Sequence, residues 1–416
     1  MRTVIIGTGP AGITTAETLR RHDPDAEIVL LTTESRPPYS PPAMADHFLT
    51  GRDAPLFWKG TDVAERLSAT ELRGIRVTGV SPSSHEVSLS DGRRLGYDAL
   101  VLASGSRLHA PLPGVELAGI HDFKSLDAAE RLVADVRGDL VGSVVIVGCG
   151  FIGVELALLL ADLGVSVTVL GRRGWVMPRM LDPDTAAVAE RAIRARGVDL
   201  RLGVAASAFV GDGSVGGVEM ADGTVLRADA YVAATGVKPH VAYLEGSGIG
   251  VDWGVHVDDR MRTDTPDVYA AGDVAEAADR MTGERFVHAI FPNAVAQGEV
   301  VALNILGHDT AYAGAESMNS LKHLGIPILS IGAMAGDDVL RWSDGEAMRT
   351  VWLTDGRIVG CRLAGEVAGA GVYRTLMLRG DDVRRYGTRL VDPSFGPGDV
   401  ALPAVLPGLA GLAPVA

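Results

Sequence analysis

Two stretches of this 416-residue chain carry glycines at spacings that can hold a pyrophosphate: GTGPAG, with Gly7, Gly9 and Gly12, and GCGFIG, with Gly148, Gly150 and Gly153. In such a turn one glycine makes the tight bend and one lets backbone approach the phosphates. The third lets helix and strand pack closely, and the helix N-terminus presents unpaired N–H groups to the anion. Pro10 and Ala11 complete the first turn, and Glu34 follows the next apolar run, where a carboxylate can accept from ribose hydroxyls. The second unit ends differently. Where an acid is usual, the chain reads Gly171, Arg172, Arg173. A carboxylate repels a 2′-phosphate and guanidinium groups bind it, so this ending predicts NADP(H) over NAD(H). The competing reading is a pair of solvated surface arginines.

The surrounding residues supply the elements that place these turns. TVIIG (3–7) is a β-branched run, 11–22 has helical composition and EIVLLT (27–32) reads as a second strand; a strand into Gly148, a helix to about Leu163 and VSVTVL (165–170) repeat the pattern. Two glycine motifs, each between a strand and a helix, point to two dinucleotide sites, where one motif alone is weak evidence. LGYDALVLASGSR (95–107), RADAYVAATGVKP (227–239) and TPDVYAAGDVAE (265–276) each bring a strand to a small-residue turn, at Ser104 and Gly105, at Gly236, and at Gly272 and Asp273. After residue 315 come short strands (VLRWSD, AMRTVWLT, RIVGCRLAG), which read as a small α+β domain.

The composition, 47% hydrophobic and 22% charged with net charge −14, is globular and argues against nucleic acid or an anionic membrane as partner. Two cysteines, Cys149 and Cys361, give no disulfide framework, and no Cys-rich metal site exists; His288 and His323 lack ligand-spaced partners, so no metal is expected. Met1 leads directly into a strand, and the apolar helix around ELALLLADLG is too short to span a bilayer, which predicts a cytoplasmic protein.

The order GTGPAG, ASGSR, GCGFIG, AATGVKP, TPDVYAAGD resembles the two-dinucleotide flavoproteins of the pyridine nucleotide–disulfide oxidoreductase superfamily over roughly residues 1–335. The resemblance implies an α/β fold with two Rossmann-like domains: a discontinuous FAD domain (1–112 and 240–312) and an NAD(P)H domain (113–239). A small C-terminal α+β interface or docking domain (313–392) and an apolar, extended tail (393–416) would follow. FAD would lie on Gly7, Gly9, Pro10, Ala11, Gly12, Glu34, Tyr39, Ser104, Gly105 and Gly272, with Asp273 on its ribitol. The second nucleotide would lie on Gly148, Gly150, Gly153, Arg172, Arg173 and Gly236. Glu155 would orient the nicotinamide, and Phe151 would either shield the flavin or simply pack. The helix FPNAVAQGEVVALNILG (291–307) would aim its N-terminus at the flavin.

Residue content selects a branch. No cysteine pair occurs in PPYSPPAMADHFLTG (37–51) and no HxxxxE near the C-terminus, so thiol relay chemistry is excluded. PYSPPAM and MNSLKHLGIPILSIG are similar to nitrite reductase flavin domains and the NAD-linked subunit of phenylglyoxylate dehydrogenase. Pro41 and Asp46 stand where oxygenase ferredoxin reductases carry Arg and Lys. The expected activity is hydride transfer from NADPH to FAD, then electron delivery to a ferredoxin-like or rubredoxin-like protein. The alternatives are an NAD(P)-reducing subunit of a larger complex, a redox sensor similar to apoptosis-inducing factor, a small-molecule reductase or an H₂O₂-forming oxidase. The last domain is similar to a dimerisation domain in some members and to a docking domain in others. Lys322 and His323 near its start, and Arg374, Arg379, Arg384 and Arg385 within it, are candidates to approach the flavin and to form an acidic-partner docking face, against a bland solvated reading.

Overall fold

The computed structural model describes residues 1–321 and 323–401; Lys322 and the tail from 402, both named above, lie outside the described residues. The chain divides into two compact units, one of Met1–Arg179 with Ile193–Ser317, the other of Met180–Ala192 with Met318–Ala416.

The first unit holds two five-stranded parallel sheets. In one, Arg2–Ile6 lies at the centre, between Glu27–Leu31 and Ala99–Leu102, with Thr70–Leu72 and Val268–Ala270 at the edges. In the other, Ser143–Val147 lies between Ser166–Gly171 and Ala230–Ala233, with Asp199–Leu202 and Ile120–His121 outside. The central strands read as near-continuous aliphatic runs because both faces are covered; Val4, Ile5, Val144 and Ile146 are all buried. The helices Pro10–His22 and Phe151–Asp162 each begin directly after their glycine turn. Where the chain passes between the sheets, Ser106–Leu108 and Val237–Pro239 pair as an antiparallel ribbon.

Gly7 and Gly148 are positions where no other residue fits. Both have positive φ (111° and 123°), and a Cβ would stand 2.1 Å from the Ala103 carbonyl oxygen and 2.2 Å from that of Ala234, respectively. Each glycine turn therefore lies against the small-residue turn of its own sheet. The Phe291–Ile305 helix crosses the first helix at an equally close point: a Cβ on Gly298 would lie 2.4 Å from the Ala11 carbonyl oxygen, and Thr15 Oγ1 donates to the Gly298 carbonyl at 3.1 Å. Gly298→Val should force these helices apart and cost roughly 3 kcal/mol, at the upper end for overpacking. A thermal melt shifted by less than two degrees would contradict that packing.

In the second unit Met318–Leu321, Ile328–Gly332, Arg357–Ala364, Met348–Thr354 and Asp338–Ser343 form one antiparallel sheet, and the Ala370–Arg379 helix packs on the Arg357–Ala364 strand. Its bounds differ from the expected 313–392. Ala315 pairs with Asp279 of the first unit, and Met180–Ala192, expected in the nucleotide domain, belongs with this sheet. The reason is long-range: the buried Arg362 guanidinium and Ser330 Oγ (3.0 Å) both donate to the Met180 carbonyl. The segment from 393 is also folded at its start, since Phe395 is buried against Tyr373 and Tyr386 and a short helix covers Pro397–Ala401. Of the arginine cluster, Arg379 and Arg384 pair with Asp381 (3.2 Å) and Asp382 (2.7 Å), which cancels local charge on the proposed docking face. Among the described residues no helix is long and apolar enough to cross a membrane.

Candidate active site

A cavity of about 570 Å³, within the size range of small-molecule sites, opens over the first glycine turn. Gly7, Gly9, Pro10, Ala11, Glu34, Tyr39, Ser104, Gly105, Gly272 and Asp273 all line it. So do Phe151, Ile152 and Glu155, which come from the first turns of the helix behind the second glycine motif. One cavity thus receives the phosphate-binding turn of one parallel sheet and the helix start of the other. Gly12 is set back, with a Cβ position 2.0 Å from the Gly7 carbonyl oxygen, which is the close-packing role rather than a contact role. Gly148, Gly150, Gly153, Arg172, Arg173 and Gly236 lie outside this cavity. Arg172 and Arg173 are exposed, just past the Ser166–Gly171 strand.

The cavity fits a flavin dinucleotide on three observations. A Cβ on Gly9 or Gly105 would meet nothing within 4 Å, so backbone is open to a ligand at both turns. Glu34 sits three residues beyond the Glu27–Leu31 strand, and Tyr39 Oη donates to its Oε1 at 3.2 Å while accepting from the Leu126 N–H at 3.0 Å. Asp273 follows Gly272, whose N–H is held by the buried Gln297 Oε1 at 2.7 Å; Ser106 Oγ donates to the Asp273 carboxylate at 2.6 Å, and Lys124 Nζ stands 3.3 Å away. The start of the Phe291–Ile305 helix also reaches the cavity through Phe291 and Ala294, and Trp58 meets Phe291 edge-on at 5.0 Å.

Burial pushes the Glu34 carboxyl up from its ordinary value, and the Tyr39 hydroxyl opposes this only in part. Tyr39 is itself pushed well above the usual phenol range by burial and by Glu34. Ribose hydroxyls donate to the carboxylate form, so FAD binding should release a proton from Glu34. FAD affinity is therefore expected to climb as pH rises through the raised pKa of Glu34, above 4.5, and Glu34→Gln should flatten that profile. The sign reverses for the ligand-free fold, which loses stability over the same window because the unfolded chain ionises first. A flavin-binding titration from pH 4.5 to 7.5 that is flat for the unmodified protein would contradict the role.

Sequence reasoning missed Lys124, Ser106, Arg36, Arg107, His240 and Tyr243, all of which line the cavity. Ser106 and Arg107 end the ASGSR turn but carried no role of their own there, and the others belong to no motif; the fold alone brings Lys124 to Asp273. It also missed partners for two histidines. His288 is satisfied, with Nε2 3.1 Å from Asp279 Oδ2 and Nδ1 3.1 Å from the Phe286 carbonyl oxygen. Outside the cavity, Asp252, His256 and Glu276 bring their ligand atoms within 4.8 Å of one another, and His256 pairs with Asp252 at 3.0 Å. Cys149 and Cys361 are buried, and neither lines the cavity.

Comparison with known proteins agrees with this architecture. The family model for pyridine nucleotide-disulphide oxidoreductase matches residues 1–298. The chain is 29% identical over 401 residues to the NADH-dependent phenylglyoxylate dehydrogenase subunit epsilon of Aromatoleum evansii, covering 93% of this chain and 94% of that protein. It is 31% identical over 408 residues to the ferredoxin–NAD(+) reductase component of the anthranilate 1,2-dioxygenase system of Burkholderia cepacia, covering 94% and 97%. The crystal structure of the covalent putidaredoxin reductase–putidaredoxin complex contains a similar chain, with a TM-score of 0.82 at 26% identity over 92% of this chain and 93% of that one.

Proposed function

The chain belongs to the pyridine nucleotide-disulphide oxidoreductase family, and we propose that within it the protein is an FAD-dependent reductase that prefers NADPH and passes electrons to a small ferredoxin-like or rubredoxin-like protein. The observation that carries this reading is the shared cavity. Phe151 and Glu155, on the helix behind the second glycine turn, face the same space as Asp273 and the first glycine turn. A nicotinamide held at the second glycine turn would meet a flavin held at the first. FAD, when bound, accepts a hydride and can release electrons singly.

The residues of the chain then divide the work. The open backbone at Gly9 and Gly105 admits the cofactor, Glu34 and Asp273 accept from its hydroxyls, and Glu155 orients the nicotinamide at the cavity wall. Phe151 covers the reacting face from water until the nicotinamide arrives. Because neither cysteine reaches the cavity, electrons leave from the flavin itself, and an iron–sulfur acceptor must bring its own cluster.

The nucleotide preference rests on Arg172 and Arg173, which are exposed beside Gly171 with no carboxylate at the strand end. The two relatives above are named for NADH and NAD(+), so this chain would depart from them in its ribose-end residues. A second reading is favoured by the end-to-end match to the phenylglyoxylate dehydrogenase subunit: the same site run as a subunit that receives electrons and reduces NAD(P)+. Double mixing separates the two. Protein reduced anaerobically by NADPH should pass electrons to an added ferredoxin much faster than to oxygen; transfer only from reduced ferredoxin to NADP+ would favour the subunit reading.

A further inference from the structure

The chain ends its second βαβ unit in glycine because another side chain has taken the space of an acid. Gly171 is buried at the end of the Ser166–Gly171 strand, beside Leu202 on the neighbouring strand. A Cβ built on Gly171 would stand 2.6 Å from Cys149 Sγ, 3.1 Å from Cys149 Cβ and 2.7 Å from Leu202 Cδ2. Leu202 is only partly buried and its methyl can rotate away. Cys149 cannot do so as readily, since it has a single side-chain torsion, is 6% exposed, and sits in the glycine turn itself. The GCGFIG turn and the GRRG ending are therefore one packing unit.

Cys149 also ties down the segment that carries the arginines. Its carbonyl accepts from the Met177 N–H at 2.8 Å, and its Sγ lies 3.7 Å from the Trp175 carbonyl oxygen. The other side of the segment is held by the Asp199–Leu202 edge, where the Gly203 N–H donates to the Arg173 carbonyl at 2.9 Å and the Val204 N–H to the Gly171 carbonyl at 3.1 Å. With both flanks anchored through backbone, the Arg172 and Arg173 side chains are left exposed at the strand end.

From these contacts we infer that Cys149 is a specificity-determining positioning residue: it excludes a carboxylate from position 171 and fixes the Arg172–Arg173 segment, selecting a dinucleotide with a 2′-phosphorylated ribose. The inference deepens the NADPH reading above and rests on it for its functional half, while its steric half stands alone. Reintroducing the acid by itself should then fail, and reintroducing it together with space for it should succeed.

The test uses the full-length, FAD-loaded protein in four forms: unmodified, Cys149→Ala, Gly171→Asp, and the Cys149→Ala/Gly171→Asp pair. Melting temperature and separate kcat and KM for NADPH and NADH are measured for each. Gly171→Asp alone should lower the melting temperature and gain nothing for NADH. The pair should recover most of that loss and shift the NADH-to-NADPH ratio of kcat/KM by roughly 100-fold, the worth of one or two charged hydrogen bonds, through KM and not kcat. A Gly171→Asp protein that melts like the unmodified one, or a pair that stays unstable, overturns the steric claim. A stable pair with the unmodified protein's selectivity overturns the specificity role. If the unmodified protein itself prefers NADH, the NADPH reading falls, and the melting temperatures still decide whether Cys149 is the obstacle.

Discussion

Replacing Arg172 and Arg173 together by alanine is expected to raise the KM for NADPH about 100-fold while leaving kcat at saturation and the KM for NADH nearly unchanged. A charge-assisted hydrogen bond is worth ~1.5–3 kcal/mol. Both guanidinium groups are exposed, so screening takes the pair slightly below the ~3 kcal/mol minimum of its sum, and about 2.7 kcal/mol is two factors of ten. The loss should fall on binding alone, because the 2′-phosphate is remote from the reacting atoms and its contacts are the same in ground and transition states. The effect should also shrink at high salt. A change below threefold in the KM for NADPH would mean that the two arginines are ordinary solvated charges.

The second large effect is expected at Asp273. Asp273→Ala should leave a folded protein that purifies with little flavin, its affinity for FAD reduced roughly 100-fold by the loss of one or two charged hydrogen bonds. The turn itself should survive, because the Gly272 N–H is held by Gln297 (2.7 Å) and not by Asp273. The substitution also leaves Lys124 without its carboxylate 3.3 Å away, so Asp273→Asn should be milder by keeping an acceptor for Ser106. Circular dichroism of the flavin-free forms should be indistinguishable. Full flavin occupancy in Asp273→Ala would contradict the assignment of this residue to the cofactor.

The parts of this molecule that are local in sequence were legible in it. The glycine turns announce themselves by spacing, and the strands and helices around them follow from aliphatic runs and composition: the helix read as 11–22 is Pro10–His22, and VSVTVL (165–170) is the strand Ser166–Gly171 displaced by one residue. Tyr39, Glu34 and Asp273 face one cavity. What sequence could not show is long-range. Lys124 reaches Asp273 across 149 residues, and Met180–Ala192 joins the C-terminal sheet through donors 150 and 182 residues away. The same holds for the link between Cys149 and Gly171. In the sequence Cys149 is one residue of a glycine turn and Gly171 a missing acid, and only the close approach between them in the fold links the two.

The central claim is that a nicotinamide held at the second glycine turn meets a flavin held at the first, with a 2′-phosphate held by Arg172 and Arg173. Anaerobic stopped-flow reduction of the FAD-loaded protein by NADPH and NADH, each at several concentrations, tests it most directly. Bleaching of the flavin band at rates of catalytic order, around 10 s⁻¹ or more, with NADPH saturating at far lower concentration than NADH, is the predicted result. Failure of either nucleotide to bleach the flavin would contradict the shared active site, and tighter use of NADH would contradict the arginine assignment.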